Sequence, residues 1–166
     1  TFGRGGDVAE RLLIFVNEFP YGSAEPYLLP EIDFYEGFDE IVLFALSVRR
    51  SLLTGPKRLS DSRIRVVPVT RRSPLFYVAN LVPSFLEPAF WREVGRLLRS
   101  GKRRVRDLGA VASFFSRIRY ESRVIKGYLR EHVQFEDGDS TILYSYRTGY
   151  QPMLMSEVSR AVPAPF

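Results

Sequence analysis

The chain has 166 residues, 45% of them apolar and 26% charged, which is enough for one domain with its own core and too apolar for a disordered segment. Cysteine is absent and His132 is the only histidine, so disulfides, thiolate nucleophiles and cysteine-built metal centres are excluded, and a histidine-based metal site is not expected. The net charge of +5 comes from 24 Lys and Arg against 19 Asp and Glu, and no apolar run reaches the ~18–20 residues of a membrane-spanning helix.

Residues 1–10 read as a flexible tail. Their GRGGD run precedes the first strand, the wrong end for a phosphate-cradling turn. They show neither the basic nor the apolar region of a secretory leader, which fits a cytoplasmic location. LLIFVN, Leu12–Asn17, is continuously apolar, as a central strand covered on both faces should be. A loop, EFPYG, follows. A helix is expected to open at Glu25 and Pro26, with Leu28, Leu29, Ile32 and Tyr35 on one buried face and Gly37 as its C-cap. Pro30 should kink that helix or delay its start.

EIVLFAL, Glu40–Leu46, is the second strand, so residues 12–46 form a β-α-β unit with a parallel pair and a right-handed crossover. RIRVVPVT, Arg63–Thr70, is a third strand, and its Pro68 predicts a sheet edge or a strand end. From Pro74 the pattern is helical, broken at Pro83 and Pro88, and a long helix is expected over Asp107–Glu131 with Leu108, Val111, Ala112, Phe115, Ile118 and Arg119 along one side. STILYSY, Ser140–Tyr146, is the fourth strand, and Thr148–Ala161 the last helix. The expected fold is α/β: a Rossmann-like open parallel sheet with flanking helices and a helical insert between the third and fourth strands.

Three features bear on function. The loop Phe19–Glu25 lies at the carboxyl end of a strand, where open α/β sheets bind ligands. Gly22 permits close backbone approach, and N–H groups around Ser23, Ala24 and Glu25 can meet a ligand oxygen; the other reading is a plain strand-to-helix turn. At the end of the fourth strand, alternation sends Tyr144 and Tyr146 to one face and Ser145 and Arg147 to the other, which suits either a sugar or phosphate site or a pair of core tyrosines. Between Arg92 and Arg106 seven basic residues face one acid, Glu93. Of these Arg96, Arg99, Lys102, Arg103 and Arg104 are candidates for contact with membrane or phosphate. The aromatic stretch before them, with Phe76, Tyr77, Phe85, Phe90 and Trp91, reads as a hairpin packed on the sheet in preference to a membrane-surface segment. His132 is expected to be an ordinary, partly exposed residue.

The segment FPYGSAEPYLLPEIDFYEGFDEIVLF resembles the opening of bacterial glycosyltransferases of the family 4-like class, which have the GT-B fold. The matching positions are Phe19, Pro20, Tyr21, Gly22, Glu25, Glu31, Phe38 and Asp39, and FWREVGRLLRSGK and ILYSY look like later parts of the same amino-terminal half. Three departures stand out. Ser23-Ala24 replaces a commoner Lys-Gly, Pro30 interrupts the helix, and Arg147 stands where relatives often carry Trp.

The resemblance implies the acceptor-side, amino-terminal domain of a glycosyltransferase over residues 11–166. Its own carboxy-terminal domain, not seen in these residues, would bind the nucleotide-sugar donor and carry the catalytic groups. The isolated domain would then bind no cofactor and catalyse no transfer. The expected partners are that second domain and a saccharide or lipid-linked acceptor, and the basic run itself would favour a peripheral contact with an anionic membrane surface on the inner face. The alternative is a stand-alone basic α/β module that contacts nucleic acid or anionic membrane. Nucleic acid ranks below because neither a helix-turn-helix nor an aromatic RNA-binding sheet motif is present.

Overall fold

The most apolar run of the chain becomes the middle of a sheet. In the computed structural model, which describes residues 9–23, 25–32, 34–53, 59, 61–100, 105–136, 138–146, 149–160 and 162, Glu10–Val16 is strand β1. Leu12, Leu13, Ile14, Phe15 and Val16 are all buried. Each of the last four stabilises the fold by about 1.5–3 kcal/mol relative to exposure. Strand β2 (Glu40–Val48) runs parallel to β1 with Val42 opposite Leu13, and β4 (Ser140–Ser145) runs parallel on the other side with Leu143 opposite Leu13. Strand β3 (Ile64–Thr70) pairs with β2 and completes the order β3-β2-β1-β4. This is an open, all-parallel, Rossmann-like α/β sheet. Pro68 lies in an edge strand, where its missing N–H is tolerated.

The two sheet faces follow the period-two alternation of the strands. On one, Leu12, Ile14 and Val16 cluster with Ile41, Leu43 and Ala45 under Leu28 and Ile32 of helix α1 (Leu28–Ile32). On the other, the rings of Phe15 and Phe44 stack 5.5 Å apart, and Tyr128 meets Phe44 edge-on at 5.8 Å. Tyr128 belongs to the long helix α5 (Val105–His132). Helix α6 (Gln151–Ser159) buries Leu154 and Val158.

At the amino end of the strands, the buried Arg11 joins Glu40 at 2.7 Å and Asp139 at 3.6 Å, and Arg65 reaches the other oxygen of Glu40 at 3.0 Å. Asp139 also accepts the backbone N–H groups of Ala9 and Glu136 at 3.2 and 3.1 Å. Residues 9 and 10, expected in the tail, are therefore tied to the sheet; residues 1–8 lie outside the described set.

Helix α1 is shorter than its apolar spacing predicts. It starts at Leu28, not Glu25, and ends five residues before Gly37. Pro30 explains the start: only in the first turn does its missing N–H cost no helical bond. Leu29 is consequently exposed, while Leu28 and Ile32 carry the packing.

The chain folds as two compact units, residues Thr1–Arg71 with Ile125–Phe166, and Arg72–Val124. The second corresponds to the expected helical insert, up to a boundary inside α5. It holds α2 (Pro74–Ala79), α3 (Leu81–Ser84) and α4 (Pro88–Arg99). Both Pro74 and Pro88 sit in a first turn, and the Ser73 hydroxyl caps α2 by accepting the Phe76 N–H at 3.4 Å. This unit has its own core: Phe90, Val111 and Phe115, with the rings of Phe90 and Phe115 edge-to-face at 5.4 Å.

Candidate functional site at the carboxyl end of the sheet

From β1 the chain builds outward to β2 and β3, and β4 then returns to the opposite side of β1. The strand order reverses between β1 and β4. In open α/β sheets the ligand crevice lies beyond the carboxyl ends of the strands at such a reversal. The loop after β1 and the end of β4 meet there, so the sequence places two of its candidate segments together.

The loop is organised around Glu25. Its side chain is fully buried, and its carboxylate accepts the N–H of Asn17 at 3.1 Å on each oxygen and the N–H groups of Glu18 and Phe19 at 3.2 Å. The anion served by the N–H groups at the end of β1 is thus supplied by the chain itself. Glu25 holds the loop in shape and does not project toward a ligand. Gly22 is required by crowding: a Cβ there would sit 2.8 Å from the Glu18 Cβ and 2.5 Å from its Oε2. Its N–H and that of Tyr21 close a turn onto the Glu18 carbonyl at 2.9 and 2.7 Å. Ser23 is exposed, and Ala24 lies outside the described residues.

Beside the loop, Glu31 of α1 gathers tyrosines from the segment after α1 and from β4. The Tyr35 hydroxyl donates to Glu31 Oε1 at 2.7 Å, and the Tyr144 hydroxyl from β4 donates to the same oxygen at 3.3 Å. The phenols of Tyr35, Tyr144 and Tyr146 are all raised above the ordinary tyrosine value, by burial first and then by Glu31. Tyr146 stacks on Tyr27 with centroids 4.5 Å apart, and Tyr27 keeps 41% of its surface in solvent. Tyr144 and Tyr146 do share a face, as strand alternation requires, and they meet edge-on at 6.2 Å.

Ser145 points the other way. Its hydroxyl donates to Gln151 Oε1 at 3.1 Å, and Gln151 Nε2 donates to Asn17 Oδ1 at 3.0 Å. The buried Gln151 thereby ties the carboxyl ends of β1 and β4 together. Arg147 lies outside the described residues. The cluster sets a carboxylate, several phenols and an exposed aromatic side by side, groups that hydrogen-bond hydroxyls and pack against C–H faces.

Compared with known protein families, curated proteins and solved structures, the chain finds no match in any of the three. Function therefore has to be read from these residues alone.

Of the basic candidates, Arg96 and Arg99 are exposed on α4, while Lys102, Arg103 and Arg104 lie outside the described residues. With Arg92 they border a groove of about 950 Å³ in the insert, whose apolar side is Phe85, Leu86 and Trp91. His132 is exposed at the end of α5, its ring stacked on Tyr128 at 4.5 Å. Five residues of the sheet-end cluster, Asn17, Tyr27, Glu31, Tyr35 and Gln151, escaped sequence reasoning as site residues. The Glu31–Tyr35 spacing of four was the available signal for two of them.

Proposed function

We propose that the sheet unit is the acceptor side of a glycosyltransferase that moves a sugar from a nucleotide-sugar to a saccharide or lipid-linked acceptor. A second domain would hold the donor. The observation that supports this reading is the Glu31 cluster at the β1/β4 reversal. A sugar offers hydroxyls around a ring and an apolar C–H face. Glu31 accepts hydroxyl protons, Tyr35 and Tyr144 donate or accept, and Tyr27 supplies a partly exposed ring. Their task is positioning: an acceptor hydroxyl held in a fixed orientation reacts as if at high local concentration. Glu25, Gln151 and Asn17 act one step back, by fixing the loop and strand ends that carry the cluster.

The test is a titration of the isotopically labelled 166-residue chain with mono- and disaccharides, followed by amide chemical shifts. Shifts centred on Tyr27, Glu31, Tyr35, Tyr144 and Tyr146, weakened by Glu31→Gln, are expected. Saturating millimolar sugar with no shift at these positions, or the same response in Glu31→Gln, would overturn the assignment.

A further inference from the structure

Apolar residues that a packed helical hairpin should hide stand in solvent on the insert. Leu75 is 80% exposed, Val82 68% and Leu86 84%, and Trp91 is 56% exposed. They come from α2, α3, the turn after α3, and α4, all within 17 residues of one another in sequence. The core of the unit does not need them, because α4 turns Phe90, Val94 and Leu97 inward at i, i+4, i+7. Its opposite side carries Arg92, Arg96 and Arg99, also at i, i+4, i+7, and Gly95 opens the surface between them, with nothing within 4 Å of a Cβ there. Arg96 makes one loose pair with Glu93 at 3.4 Å, at the rim of this face.

We propose that the groove lined by Phe85, Leu86, Trp91, Arg92, Arg96 and Arg99 docks on an anionic phospholipid bilayer. Leu86 and Trp91 enter the headgroup boundary, and Arg92, Arg96 and Arg99 meet lipid phosphates. Charge complementarity and the kind of apolar residue select this occupant. Interfacial segments combine Trp, Phe and Leu with arginines on a neighbouring face, whereas a nucleic-acid surface is polar and offers nothing to Leu86. The Trp91 indole N–H already donates to the Phe85 carbonyl at 2.7 Å, so the ring can enter an apolar layer without stranding its one donor. The inference goes beyond the transferase reading and does not depend on it. Vesicle binding and sugar binding are read on different surfaces and can fail separately.

Trp91 is the only tryptophan of the chain, so tryptophan fluorescence, excited at wavelengths the nine tyrosines do not absorb, reports this surface alone. The 166-residue chain is titrated with vesicles of phosphatidylcholine, and of phosphatidylcholine mixed with phosphatidylglycerol. Expected are a blue shift and protection from acrylamide on the mixed vesicles only, with affinity falling as salt is added. Each of Arg92→Gln and Arg99→Gln should lower partitioning about fivefold. Leu86→Ser and Trp91→Ala, measured by flotation, should lower it at every salt concentration, with circular dichroism showing that each variant is folded. Equal response to neutral and mixed vesicles, partitioning unchanged by both arginine variants, or a Trp91 response to single-stranded RNA with none to mixed vesicles would each overturn the proposal.

Discussion

Replacing Glu25 by alanine separates a loop-holding residue from a ligand-holding one. The carboxylate accepts backbone N–H groups from Asn17, Glu18 and Phe19 in a site with no exposure of the Glu25 side chain. Each buried donor left without an acceptor costs about 1–3 kcal/mol. The Phe19 contact is fully buried and the other two are partly so, so water recovers some of the loss. The expected cost is about 3–5 kcal/mol, a large share of the roughly 5–15 kcal/mol that holds a domain together. Glu25→Gln keeps one carbonyl oxygen but turns an NH₂ toward N–H groups, and should cost about 1–3 kcal/mol. Urea denaturation followed by circular dichroism gives the stability, and amide exchange at residues 17–19 gives the local effect. An alanine variant within about 1 kcal/mol of the parent, with unchanged exchange at those amides, would refute the reasoning.

Gly22→Ala forces a Cβ against that of Glu18 and should cost about 1–2 kcal/mol, read as a lower Tm; Glu18→Gly in the same chain should restore it. The Tyr35, Tyr144 and Tyr146 phenols bind their protons more tightly folded than unfolded, so the stability they contribute is complete below the free tyrosine value of about 10 and is lost as pH rises through the folded values. Ultraviolet titration of Glu31→Gln should bring these phenols down part of the way, since burial, the larger cause, remains. Asp139 behaves oppositely. The Glu136 N–H first, and then the Ala9 N–H and Arg11, hold its carboxyl below the ordinary aspartate value. Its contribution is present above about pH 4 and disappears as pH falls through the folded value, so acid unfolding of Asp139→Asn should show a shallower pH dependence than the parent.

The sheet was legible because its signals are local. LLIFV is buried whichever way it faces, and Pro68 marks an edge. The long helix also emerges close to its expected bounds, Val105–His132 against Asp107–Glu131. The site was legible only in part. Strand alternation alone puts Tyr144 and Tyr146 on one face. That Glu31 would collect them depends on where β4 comes to lie beside α1, more than 100 residues away in sequence. Glu25 entered the sequence reading through the N–H groups around it; that its carboxylate runs back to the N–H groups at the end of β1 depends on the path of the loop. The insert surprised in its exposure. Phe76, Tyr77 and Tyr120 pack against one another, and Phe90 against Phe115, but helical spacing does not tell how many apolar residues the unit can hide.

β1 is flanked by a partner made soon after it and by another made long after. During synthesis β2 and β3 can join it almost at once, while β4 waits for the whole insert to be translated. At ordinary ribosome speeds the LLIFV strand then spends roughly 6–25 s with one edge open. That edge is a template for pairing with another nascent chain. The helical insert thus sets the length of a vulnerable interval, and a slower ribosome or a longer insert should lower the yield of soluble chain before it alters the finished fold.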